Sequence, residues 1–199
     1  MTEHPHIDDL TAFHGHMCPG LAIGYRATMA GLQRLGTTPA EDEELVAIVQ
    51  NDSCSVDAVQ FLAGATFGKG NFFFRDWGKQ VFTFASRGTG RAVRVSFKPR
   101  ALDRDQTAAE AAVRARMADG TGGPEDREAV GRWRQEKIDY ILNAPIESLF
   151  DIREVEIEIP PPASIQSSIE CGRCGEPVME TRTVNQDGKT LCMECAHAG

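Results

Sequence analysis

The chain has 199 residues, 41% of them apolar, enough for one full-sized core and a small appendage. Its 21 Lys and Arg face 29 Asp and Glu for a formal charge of −8, and residues 163–199 hold 3 basic against 5 acidic side chains, which argues against gripping a phosphate backbone. The opening Met1-Thr2-Glu3-His4-Pro5-His6 lacks a basic-then-apolar leader and no apolar run reaches spanning length. The expectation is a cytoplasmic protein with neither membrane nor nucleic acid as partner, in a compartment where cysteine pairs hold metals more often than disulfides.

The first chemistry-bearing run is Phe13-His14-Gly15-His16-Met17-Cys18-Pro19-Gly20, two imidazoles and a thiol within five positions. From Pro19, apolar side chains at Leu21, Tyr25, Met29, Leu32 and Leu35 recur at helical spacing, and Gly36 is a stop, so a helix is expected over 19–35. Its remaining positions include Gly24, Ala27 and Gly31, small enough to admit a second helix or a partner chain. Leu45 to Gln50 has strand length, and Ser55 to Ala63 reads as a helix stopped by Gly64. Cys54, flanked by Asp52 and Asp57, therefore stands before a helix, as Cys18 does. Helix N-termini favour thiolates, so both thiols are expected where thiolates form easily.

Gly64-Ala65-Thr66-Phe67-Gly68-Lys69-Gly70-Asn71 is a glycine-rich turn. It lacks one spacer and the Ser/Thr of a phosphate loop, so Lys69 is read as a turn lysine. Phe72 to Phe74 are read as core and interface rather than a ligand platform. Val81–Ser86 and Ala92–Lys98 form a hairpin whose Val93, Val95 and Phe97 face a core. Helices are expected over 107–119 and 125–142, and a last strand where Val155, Ile157 and Ile159 alternate with Glu154, Glu156 and Glu158. Pro160-Pro161-Pro162 is a stiff spacer. The fold class is α+β, with a core over 1–160 and a zinc-finger domain over 161–199.

That second domain carries Cys171-x2-Cys174-x17-Cys192-x2-Cys195, the spacing of a four-thiolate zinc site, since each pair lets one tight turn present two sulfurs to a tetrahedral ion. Met179–Val184 and Lys189–Cys192 flank an Asp187-Gly188 hairpin signal, giving a zinc-ribbon or treble-clef layout. So short a segment needs the metal to fold, making this zinc structural.

A second metal ion, zinc or another borderline ion, is expected in the core. Because Pro19 disfavours helix at Cys18, an extended segment puts His16 and Cys18 on one side. His16, Cys18 and Cys54 are thus the preferred ligands, with His14 as a further ligand or a group behind one. Three ligands leave a coordination position open.

Three motifs, Phe13 to Gly20, Asp52-Ser53-Cys54-Ser55-Val56-Asp57 and Thr66 to Asn71, occur in this order, and together they resemble the E-subunit family of formylmethanofuran dehydrogenase. The resemblance implies an α+β core that dimerises by intertwining and holds a metal on His and Cys of the first two motifs. Family members commonly carry a cysteine just before the third motif, where this chain has Ala65. The resemblance implies an accessory role beside a molybdenum or tungsten oxidoreductase, in metal handling or assembly, with the catalytic subunit on another polypeptide; a homodimer and oxidoreductase subunits are the expected partners. Two alternatives stand beside it: an enzyme using the His16/Cys18/Cys54 site as a metal- or thiol-dependent centre, and a regulatory module binding proteins through its zinc finger. No assembled catalytic motif accompanies the cysteines.

Overall fold

Pro19 and Gly36 bound the helix around which the core is built. In the computed structural model, which describes residues 4, 6–98, 100–102 and 107–198, the order of elements begins α1 (Ile7–His14), α2 (Pro19–Leu35), β1 (Leu45–Val49) and α3 (Ser55–Ala63). It continues with β2 (Phe72–Phe74), β3 (Val81–Ser86), β4 (Ala92–Phe97), α4 (Ala108–Ala118), α5 (Pro124–Asn143), α6 (Ile146–Leu149) and β5 (Phe150–Val155). The five strands form one mixed sheet in the order β2-β1-β3-β4-β5, with β1 and β2 parallel and the other pairs antiparallel. This is the α+β class expected.

Strand alternation divides the apolar side chains between two faces. Leu45, Ala47 and Val49 of β1 join Phe82, Phe84, Val93, Val95 and Phe150 in the main core under α2, α3 and α5. On the opposite face Val46, Ala85 and Ala92 form a smaller cluster with the partly buried Ile48, Phe73, Val155, Ile157 and Ile159.

The small residues of α2 are used within this chain. A Cβ on Gly24 would stand 2.2 Å from the Ser55 carbonyl oxygen at the start of α3, and one on Gly31 would stand 2.4 Å from the Phe84 ring. Glycine at 24 therefore lets α3 cross α2 in near backbone contact, which sets the N-terminus of α3 beside that of α2. Arg26 ties α2 to the end of α5, donating to the carbonyls of Ile141 at 3.0 Å, of Leu142 and of Ala144 at 2.8 Å.

One expectation changes. The last strand runs over Phe150–Val155 rather than through Ile159, because its partner β4 begins at Ala92, opposite Val155. Ile157 and Ile159 keep their alternation by packing on the small cluster without a ladder. Phe72–Phe74 forms the parallel edge strand, with Phe72 in the core and Phe74 exposed.

Residues 163–199 form a separate compact unit, residues 1–162 the other. In the smaller one, β6 (Ser168–Glu170) pairs with β7 (Pro177–Met179) and β8 (Thr183–Gln186) with β9 (Lys189–Cys192), before α7 (Met193–His197). The strand expected from Met179 begins only at Thr183, since Glu180–Arg182 makes a 3₁₀ turn. Asp187 and Gly188 both have positive φ, 52° and 76°, as a two-residue hairpin turn requires. Among the described residues no helix is long and apolar enough to cross a membrane.

Candidate metal centres

α1 ends where Gly15 adopts φ 94°, a left-handed conformation that glycine enters without steric cost. This reversal folds the chain back so that the His14 and His16 rings lie 4.8 Å apart, centroid to centroid. Two residues on, Cys18 takes an extended conformation and N-caps α2, its Sγ accepting the Leu21 N–H at 3.3 Å. The ligand atoms of His14, His16 and Cys18 all lie within 4.8 Å of one another.

His14 is the best-defined member. Its Nδ1 meets Asp57 Oδ2 at 2.6 Å, and its Nε2 is buried with no hydrogen-bond partner among the described residues. A ring that donates its Nδ1 proton to a carboxylate presents the Nε2 lone pair, and a buried lone pair without a donor is costly unless something electropositive takes it. The donor set therefore fits a metal ion. Asp57 lies in the first turn of α3, so its position follows from the α2–α3 crossing at Gly24.

Cys54 precedes α3 but takes helical φ and ψ and makes no side-chain cap. Its Sγ lies outside the group formed by the other three, although Cys54 and Cys18 flank the same glycine: a Cβ on Gly20 would meet Cys54 Cβ at 3.2 Å and Cys18 Sγ at 3.8 Å. Burial first, then the neighbouring Cys18 thiol, push the Cys54 thiol up. This overturns the expectation that its place at a helix start favours the thiolate; desolvation and a second sulfur outweigh the helix. Behind it, Asn51 Nδ2 donates to the Lys79 carbonyl at 2.9 Å, and Asn51 Oδ1 accepts from the Ser53 hydroxyl at 2.7 Å, fixing the turn between β1 and α3.

The third motif is a structural clasp. Fully buried Asn71 accepts the Thr66 N–H on Oδ1 at 2.9 Å and donates from Nδ2 to the Leu45 carbonyl at 2.9 Å and the Asp42 carbonyl at 3.1 Å. Lys69 Nζ bonds the Ala40 and Glu41 carbonyls, the turn role expected of it.

In the tail, Cys171, Cys174, Cys192 and Cys195 bring four sulfurs within 4.8 Å of one another. A tetrahedral zinc with bonds of about 2.3 Å sets sulfurs about 3.8 Å apart, so the quartet fits. Backbone N–H groups already point at it: Cys192 N–H reaches Cys171 Sγ at 3.3 Å and Cys195 N–H reaches Cys192 Sγ at 3.4 Å. The N–H groups of Cys174, Cys192 and Arg173 bring the Cys171 thiol down to about 6, while Cys195, hydrogen-bonded to Cys192, is pushed up to about 12. Crowded thiols thus place their first negative charge on Cys171. A cation at the centre lets the others follow.

An α+β core with a histidine–cysteine cluster, followed by a four-thiolate finger, is the class that the fold and these clusters define. The chain belongs to the FmdE family, described as "FmdE, Molybdenum formylmethanofuran dehydrogenase operon", whose model matches residues 13–151. Residues 166–198 match the prokaryotic dksA/traR C4-type zinc finger, which makes the C-terminal site a zinc site. A "Probable S-adenosyl-L-methionine-binding protein" of Archaeoglobus fulgidus is 30% identical over 190 residues, 92% of this chain. This chain spans about half the length of that relative, 50%. The crystal structure of an FmdE-like protein of the tungsten formylmethanofuran dehydrogenase type, from Syntrophus aciditrophicus, superposes with a TM-score of 0.64, covering 98% of this chain and 91% of that one. At 22% identity it speaks for the fold alone.

Proposed function

We propose that the core holds a metal ion on His14 Nε2, His16 and Cys18, with Cys54 beside Cys18 as a reserve thiol and at least one coordination position open. The observation that carries this reading is the buried Nε2, without a partner among the described residues, of a histidine whose other nitrogen is fixed by Asp57. Closed four-ligand shells characterise structural sites, whereas three protein ligands leave room for exchange. Mixed imidazole and thiolate donors suit zinc and other borderline ions. On this reading the protein is an accessory factor that carries or delivers a metal in a system related to molybdenum or tungsten formylmethanofuran dehydrogenase. It works as a homodimer alongside oxidoreductase subunits, as the family resemblance implies. The raised Cys54 thiol argues against a free thiol nucleophile, which needs the opposite shift.

Cobalt(II) loading tests the open position. Visible d–d bands characteristic of mixed nitrogen and sulfur ligation, which shift on adding azide or imidazole, support it. Bands that no added ligand perturbs point to a closed shell and contradict it.

The name of the Archaeoglobus relative supports a second reading, in which this chain binds S-adenosylmethionine. Equilibrium dialysis with the labelled compound decides it: saturable micromolar binding is the expected result, and none at millimolar ligand removes the reading.

A further inference from the structure

α4 and α5, with Ala101, Leu102 and Pro19, line an open cleft of about 680 Å³, within the range of small-molecule sites. α5 sends Val130, Trp133, Arg134, Lys137 and Tyr140 into it. Those positions fall on one stripe at helical spacing, yet only the first is aliphatic. Ile138, Ile141 and Leu142 of the same helix reach the core, Ile141 one turn beyond Lys137 on the same stripe. Trp133, Arg134 and Lys137 themselves belong to neither core cluster.

The chemistry of the cleft runs against that of the whole chain. In a protein of net charge −8, three cations, Arg114, Arg134 and Lys137, converge on it against Glu110 and Glu136. Glu110 is buried and committed to the start of α4, accepting the Thr107 N–H at 2.9 Å and the Thr107 hydroxyl at 3.2 Å. Arg114 stands 5.8 Å over the Trp133 ring, a cation–π geometry that presents an indole face and a guanidinium at one point. Tyr140, half exposed, adds a second aromatic surface. Pro19, the residue that follows Cys18 in the chain, also lines the cleft.

We infer that this cleft is a binding site for a planar heteroaromatic anion of the nucleotide class, its ring stacked on Trp133 and its phosphates held by Arg114, Arg134 and Lys137. Stacking supplies a sequence-tolerant aromatic contact, and guanidinium groups pair phosphate oxygens in a way that a neutral nucleoside cannot exploit. The sulfonium of S-adenosylmethionine gains nothing from three cations, so the site is distinct from the second reading above.

The test uses the full chain carrying Trp77→Phe, which leaves Trp133 as its sole tryptophan because the sequence has two. ADP is expected to quench Trp133 fluorescence saturably and to bind at least ten-fold tighter than adenosine or pyrophosphate. An Arg134→Gln/Lys137→Gln double variant, altered only at exposed positions, is expected to lose at least ten-fold in ADP affinity with unchanged thermal unfolding and unchanged metal content. Equal binding of ADP and adenosine removes the anion half of the inference, and equal binding of ADP and pyrophosphate removes the aromatic half. Binding of S-adenosylmethionine without ADP, or no ADP binding at millimolar concentration, overturns the inference. Metal content measured on the same samples keeps its failure separate from failure of the metal reading.

Discussion

Asp57 Oδ2 stands 2.6 Å from His14 Nδ1, joining the end of α1 to the first turn of α3 across 43 residues of sequence. The contact orients an imidazole whose far nitrogen is buried and partnerless among the described residues. Carboxylates in this position fix the histidine tautomer and raise its basicity toward a metal.

Replacing Asp57 with Asn keeps the shape and removes the charge. The expected result is a core metal affinity about 10- to 100-fold weaker, with the zinc of residues 166–198 retained. Chelator competition on the full chain measures both sites. Core affinity equal to wild type would show that Asp57 plays no part in ligation.

Gly24→Ala tests the scaffold beneath the site. Its Cβ would stand 2.2 Å from the Ser55 carbonyl oxygen, a backbone atom that cannot move without shifting α3. The expected loss is about 1–3 kcal/mol of unfolding free energy, or more, together with weakened core metal binding, because the α2–α3 crossing places Cys18, Cys54 and Asp57. Gly68→Ala is the control, since a Cβ there meets nothing within 4 Å. Urea unfolding curves of the two variants should separate clearly, and coincident curves would contradict the close crossing.

Much of this fold was legible in the sequence, and the exceptions have physical reasons. α2 is announced by Pro19 at its first position and Gly36 after its last residue, and it runs over those residues. α1 is not announced: its N-cap His6 makes no side-chain cap, and Leu10 is its sole buried residue among those described. Without α1, the segment before Pro19 reads as extended, which favours His16 and Cys18 over His14. The Gly15 turn adds His14 to them by bringing both rings together, and a φ of 94° leaves no trace beyond the presence of glycine. The Asp57 contact is likewise invisible, because no local spacing links residues on two different helices. The tail cysteines were legible because each pair is a local turn.

Asp126 offers a pH test of the α4–α5 pair. Arg116 foremost, then the Gly123 N–H, lower its carboxyl to about 2. A depressed folded pKa stabilises above the ordinary carboxylate value, and that contribution is lost as pH falls through about 2. Carbon-detected NMR titration should place Asp126 near 2 and show Arg116→Ala raising it, with the Gly123 N–H still holding it below the ordinary range. An Asp126 that titrates near 4 in the parent protein would contradict the contact.

Removing zinc should unfold residues 163–199 while the sheet of residues 1–162 keeps its structure, because a unit this small depends on its metal. Hydrogen exchange before and after a zinc-selective chelator reads this directly. Protection lost in β8 and β9 and retained in β1 and β3 is the expected pattern. Full protection of the tail without metal would show that zinc does not hold it.

The measurement closest to the central claim is metal stoichiometry, taken by elemental analysis on the 199-residue chain reconstituted with zinc and on a His14→Gln/Cys18→Ser double variant. The account predicts two ions per chain in the parent and one, on Cys171, Cys174, Cys192 and Cys195, in the variant. One ion in the parent, or two retained in the variant, would contradict a core metal held by His14, His16 and Cys18.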